Sequence, residues 1–277
     1  CLWKSNKSCS WKKYINNDFL FFYKNYVNNK NVFKKYFLLI AVLRARAIQN
    51  VVYMFAKQID YKIAVSIKVK DIFASNGIKN LKVIHNAVIV KNKPRKKFIN
   101  KIVFVGKLSK GKGADIFIQT LPSLIYNFNQ IAIEIIGSGH LKEVLKTFIK
   151  SKNIQSKVKF LGQLDHSEVL NKISNAALVV VPSIWPEPLP RSAIETILSG
   201  TPVVATNIGG IGEVVKNKIY GILTKTDKES LEESIIIAYN QKDILRSNIK
   251  KDIKKLRNHF TQHTLKLYEK IYAEALN

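Results

Sequence analysis

The sequence is poor in acid, in sulfur and in long apolar runs. It sets 19 Asp and Glu against 46 Lys and Arg, a formal net charge of +27 over 277 residues. Its two cysteines, Cys1 and Cys9, lack the second pair that a four-ligand zinc site needs; they read as ordinary thiols, with a disulfide as the alternative. No apolar stretch reaches the roughly 18–20 residues that cross a bilayer. The longest, near Phe37–Leu43, stops at Arg44 and Arg46. No secretory signal is visible, so a soluble or peripheral protein is expected, cytoplasmic or resting on the inner face of the membrane. Seven prolines and 12 glycines are too few for a collagen-like or linker-dominated chain. What is present is 47% apolar and 10% aromatic residues, which excludes a disordered polycation. At roughly 150 residues per domain, the length accommodates about two domains.

The charge is uneven. Residues 1–100 hold 21 basic and 3 acidic residues, a net +18, which leaves +9 for the rest. Such asymmetry points to an anionic partner, nucleic acid or a membrane surface. Compositional bias is the rival explanation, because 40 of the 46 basic residues are Lys in a chain rich in Asn and Ile. No basic-aromatic motif of a nucleic-acid-binding module is found, so nucleic acid is not the expected partner. No Gly-x-Gly-x-x-Gly follows a strand, which disfavours a nicotinamide dehydrogenase.

Residues 36–58 carry apolar side chains at helical spacing (Phe37, Ile40, Ala41, Ile48, Val51, Val52, Phe55) and predict an amphipathic helix. A strand over Tyr61–Val65, a helix over Ser66–Ser75 and a strand at Val83–Ile84 come next. The aperiodic polar run 91–97 reads as a linker. Beyond it, short continuous apolar runs alternate with helical segments: Ile102–Val105, Ile131–Ile136, Val158–Leu161, Leu178–Val181, Pro202–Ala205 and Gly221–Leu223. Continuous apolarity predicts strands buried on both faces, hence a doubly wound parallel sheet of α/β class. The expected domains are 1–90, 98–262 and a closing helix within 263–277.

Ligands of such sheets bind beyond the carboxyl ends of the strands, and there the sequence places its glycines and charges. Gly106-Lys107-Leu108-Ser109-Lys110-Gly111-Lys112-Gly113 comes after the first strand of this region. Backbone amides and lysines of this kind suit a phosphate, although a solvated basic turn would look the same. Gly137-Ser138-Gly139 comes after the second; tight-turn geometry alone explains such a pair. His140 and His166 read as loop or capping residues. Glu187 falls in the Pro-rich loop 182–190 and Glu195 early in the next helix, so both carboxylates can face one cleft and accept hydrogen bonds from vicinal hydroxyls. Thr206-Asn207-Ile208-Gly209-Gly210-Ile211-Gly212-Glu213 closes the set.

In order, Phe104-Val105-Gly106-Lys107…Lys112-Gly113, Gly137-Ser138-Gly139, Phe160-Leu161-Gly162, Val181-Pro182-Ser183, Glu187-x7-Glu195, Gly200-Thr201-Pro202-Val203-Val204-Ala205 and Gly209-Gly210-x-x-Glu213 resemble the retaining glycosyltransferases of family four, whose B-type fold has two Rossmann-like domains. The resemblance implies an activated sugar as donor substrate, linked to UDP or GDP, and a glycan or lipid-linked acceptor. It implies that Lys107 and Lys112 neutralise the donor diphosphate, that Glu187 holds the transferred sugar and Glu195 the ribose, and that Gly106, Gly137, Gly139, Arg191, Gly209 and Gly210 line the donor. The sequence contains no Asp-x-Asp, so no metal and no further cofactor are expected. Pro190 stands where the family commonly has Gly, and Ala87 where it has Gly before the linker. The 90 residues ahead of the linker match only the later part of the family's acceptor domain, so an N-terminally truncated chain is expected. That leaves an inactive remnant as the alternative function.

Overall fold

A computed structural model describes residues 32–91 and 98–276. Cys1, Cys9 and most of the expected linker lie outside the described residues. Contacts divide the described chain into two units: 32–64 with 68–83, and 65–67 with 84–91 and 98–276.

In the smaller unit, helix α1 (Val32–Gln58) precedes two short parallel strands, β1 (Lys62–Ala64) and β2 (Leu81–Val83), joined through helix α2 (Ile67–Ser75). Ala64, Ile78 and Leu81 are buried, with Tyr53, Ala56, Val69 and Phe73 packed against them. The helix predicted over 36–58 is present and starts earlier. Its face differs from the expectation: Ile48, Val51, Val52 and Phe55 are exposed, whereas Tyr53 and Ala56 meet the core. A small two-stranded sheet covers only a narrow stripe of a 27-residue helix.

The larger unit is a six-stranded, all-parallel sheet of β3 (Ile99–Val105), β4 (Ala132–Ile136), β5 (Val158–Gly162), β6 (Ala176–Val181), β7 (Val203–Thr206) and β8 (Gly221–Thr224). The order is β5-β4-β3-β6-β7-β8. Each strand predicted from a continuous apolar run is found, shifted by a few residues at most. The reason for the continuity is visible in β3: Ile102 and Phe104 enter one core and Val103 the other, one on each face of the sheet. The first core is closed by α3 (Ala114–Asn127), α4 (Lys142–Ser151) and α8 (Lys228–Asn240), and the second by α5 (His166–Asn175), α6 (Arg191–Leu198) and α9 (Lys242–Asn258). A short helix, α7 (Ile211–Val214), comes after β7, and a π-helical segment, His259–His263, leads into α10 (Thr264–Leu276). Neither irregular piece has a sequence period long enough to detect. Within the run Ile131–Ile136, Glu134 is buried and is matched by Lys101 at 2.8 Å and Lys172 at 3.4 Å.

Residues 84–90, grouped with the first domain from the sequence, belong with the larger unit. Val88 and Val90 are buried in its second core, and Val88 N–H donates to Phe260 O at 2.8 Å. The sheet order positions the site. The order in which successive strands are added reverses between β3 and β6, and the loops leaving those two strands flank the resulting crevice.

Candidate functional site

Lys112 and Glu187 meet in this crevice. β3 delivers the lysine-rich loop, which closes in a 3₁₀ turn, Lys110–Lys112. β6 delivers the loop 182–190. The second loop is tied to the first, since the N–H groups of Ile184 and Trp185 both donate to Gly111 O, at 3.0 and 2.9 Å. Lys112 Nζ then lies 2.7 Å from Glu187 Oε1, and Ser183 Oγ donates to the same oxygen. A carboxylate with one oxygen occupied by a cation and a hydroxyl keeps the other able to accept a hydrogen bond. Lys107 is exposed and makes no ion pair among the described residues.

Glu195 is built differently. It lies in the second turn of α6, four residues after Arg191, and is only 6% exposed. Its Oε1 accepts from Arg191 Nε at 3.0 Å and from His166 Nε2 at 2.8 Å. A carboxylate oxygen only accepts, so the His166 proton sits on Nε2. His166 opens α5 beside Asp165, whose side chain forms a capping box with Glu168. The capping expectation thus holds for the segment, but it missed the ring. No local pattern joins residues 29 apart; the topology brings them together. His140 remains exposed in the turn after β4.

The glycines hold the loops against one another. Gly137 has φ +130°, and a Cβ there would lie 2.0 Å from Gly106 O. Gly209 has φ +63°, and a Cβ there would lie 2.2 Å from Glu187 O. Gly210 N–H donates to Glu187 O at 2.8 Å, which fixes the backbone beneath the Glu187 carboxylate. At Gly139 and Gly210 the space a Cβ would take is likewise filled by carbonyls, of Leu108 and Pro188. Gly106 alone of these has room for one. The amides of Gly106 and Leu108 are occupied by Ile136 O and Ser138 O, so these two N–H groups are not held open for a phosphate. Pro190 is the N-cap of α6 with φ −76°, an ordinary value for proline, so this position makes no use of a glycine's freedom.

Glu213 on α7 accepts from the Ile67 N–H at 2.8 Å and lies 3.4 Å from His85 Nε2. His85 Nδ1 is 3.0 Å from His259 Nε2, and its ring stacks on Phe260. Burial lowers the His259 pKa below its ordinary 6.5, and the nearby His85 and His263 push the same way. Tyr220 donates to Asp252 Oδ2 at 2.6 Å, and its hydroxyl is pushed up to about 12, by burial first and by Asp252 second.

A doubly wound, all-parallel sheet with Lys112 and Glu187 brought together at its switch point defines an α/β protein of Rossmann-like fold. Residues 87–256 match the family described as Glycosyl transferases group 1, and the chain belongs to that family. It is 29% identical over 156 residues to an uncharacterised glycosyltransferase of Methanocaldococcus jannaschii, a match covering 55% of this chain and 40% of that protein. It is 34% identical over 121 residues to glycogen synthase of Mycobacterium tuberculosis, covering 44% of this chain and 29% of that enzyme. Among solved structures, Anabaena HepE in complex with UDP and glucose superposes with a TM-score of 0.70 at 22% identity, covering 82% of this chain and 66% of that one. The likeness is one of fold, the B-type glycosyltransferase fold. The chain spans less than half the length of the two curated relatives.

Proposed function

We propose that the chain is a retaining glycosyltransferase of family four that binds a UDP- or GDP-linked sugar at the switch-point crevice. The observation that carries this reading is the Lys112–Glu187 pair, one charge from each loop flanking the crevice, 2.7 Å apart. In the proposal a donor diphosphate takes Lys112, with Lys107 free to swing toward it. The Glu187 carboxylate, released from its cation, accepts from hydroxyls of the transferred sugar, and Glu195 accepts from the ribose. Gly137, Gly139, Gly209 and Gly210 form the close-packed floor on which these groups stand, and Gly106 lies beside it.

The chemistry comes from the charges. Negative charge develops on the diphosphate as the glycosidic bond breaks, and cations placed beside it stabilise that charge. Lysines supply this charge in a sequence without an Asp-x-Asp motif. Retention fits attack on the same face, with the leaving phosphate taking the acceptor proton. The acceptor is a glycan or lipid-linked molecule. Exposed Ile48, Val51, Val52, Met54 and Phe55 on α1, within the first 100 residues and their net +18, suit the surface of an anionic membrane. No described helix is long and apolar enough to cross one. The test is release of sugar from radiolabelled UDP- and GDP-sugars: Lys112→Ala and Glu187→Gln each abolish turnover with the fold intact, and undiminished turnover refutes the assignment.

A further inference from the structure

Two donors from different elements converge on one oxygen of Glu195. Arg191 and His166 both bond to Oε1, and Oε2 has no hydrogen-bond partner among the described residues. A carboxylate this buried is costly unless its lone pairs are used. Glutamate's terminal torsion is also broad, so a single contact would leave the free oxygen unaimed. Two contacts on one oxygen stop that rotation and present Oε2 in a fixed direction.

The two braces are unequal. The Arg191 side chain is 65% exposed and reaches along its own helix, whereas the His166 ring, 52% exposed, has two torsions and a backbone held by the Asp165–Glu168 capping box. His166 also arrives from the loop after β5, on the far side of β4 and β3 from α6 in sheet order. It therefore couples the outer strand end to the carboxylate at the switch point.

We infer that His166 is a positioning residue for donor binding: it holds Glu195 so that Oε2 accepts the ribose hydroxyls of a nucleoside diphosphate. This inference rests on the proposed function, and it adds a residue and a task to it. Gln can place its amide nitrogen where the imidazole Nε2 lies, so His166→Gln keeps the donor, and His166→Ala removes it.

The test compares UDP and GDP with their 2′,3′-dideoxy counterparts by calorimetry on the wild type, His166→Ala and His166→Gln. A hydrogen bond to a charged group is worth enough for His166→Ala to weaken ribonucleotide binding about tenfold. Binding of the dideoxy form stays as in the wild type, and His166→Gln restores discrimination between the two. A purely structural His166 would instead weaken both forms equally, or neither, and either result overturns the inference while leaving the proposed function standing. A folded wild type that binds neither ribonucleotide overturns both. Thermal melts of the three proteins confirm that each is folded.

Discussion

Replacing Gly209 by alanine separates two costs that the structure keeps distinct. Gly209 has φ +63°, and its missing Cβ is 2.2 Å from Glu187 O. Gly162 has a similar φ of +72°, and nothing lies within 4 Å of a Cβ there. Gly162→Ala therefore meets only the left-handed backbone penalty, about 1–2 kcal/mol. Gly209→Ala meets the same penalty and a collision. Glu187 O would have to retreat by about 1 Å to restore an ordinary contact. That movement breaks the 2.8 Å bond from Gly210 N–H, a further ~0.5–1.5 kcal/mol. At about 2–4 °C per kcal/mol for a unit of this size, Gly209→Ala lowers Tm roughly one and a half times as far as Gly162→Ala. Differential scanning calorimetry reads both. UDP affinity, measured on the same samples, falls for Gly209→Ala alone, because only there does the Glu187 loop move. Equal Tm losses and equal affinities would refute the claim that the β7 loop sets the position of Glu187.

Lys112→Ala leaves Glu187 with Ser183 as its remaining side-chain partner, and nucleoside diphosphate affinity drops about tenfold, an effect that shrinks in high salt when read by calorimetry. Tyr220→Phe removes the hydroxyl bonded to Asp252 and costs about 1 kcal/mol in a urea melt, without altering nucleotide binding. His259 supplies a pH dependence. Its folded pKa lies below the ordinary 6.5 through burial, then His85 and His263, so between those values the unfolded chain binds the proton more readily. The contribution is therefore fully present above about pH 6.5 and is lost as pH falls from there toward the lowered folded value. Around it stand His85, His263 and, through His85, Glu213. His259→Asn flattens the Tm profile between pH 7 and pH 5, roughly the span in which histidine titrates; an unchanged slope would place its origin elsewhere.

The strands of the larger unit were legible because burial on both faces leaves an unbroken apolar run, as Ile102, Val103 and Phe104 show. Glu134 was the exception, an acid whose buried place depends on Lys101 and Lys172 and so on tertiary structure. The pairing of Lys112 with Glu187 was legible only as two charges at two strand ends; the sheet order makes them neighbours. The family resemblance marks Gly137, Gly139, Gly209 and Gly210 as neighbours of the donor, and the structure adds that they pack loop against loop. His166 was hidden for a related reason: Asp165-His166-Ser167 is a complete description of a helix start, and nothing near it mentions Glu195. The exposed face of α1 could not be foreseen, since an amphipathic period does not say how wide a partner the fold supplies.

If the crevice between the β3 and β6 loops holds a nucleoside diphosphate through Glu195, a thermal-shift titration with UDP, GDP and ADP reads it directly on the wild type and Glu195→Ala. At least one nucleotide then raises Tm in the wild type, and the shift vanishes in Glu195→Ala. No shift with any of the three, or a shift that survives the substitution, would contradict that role for Glu195.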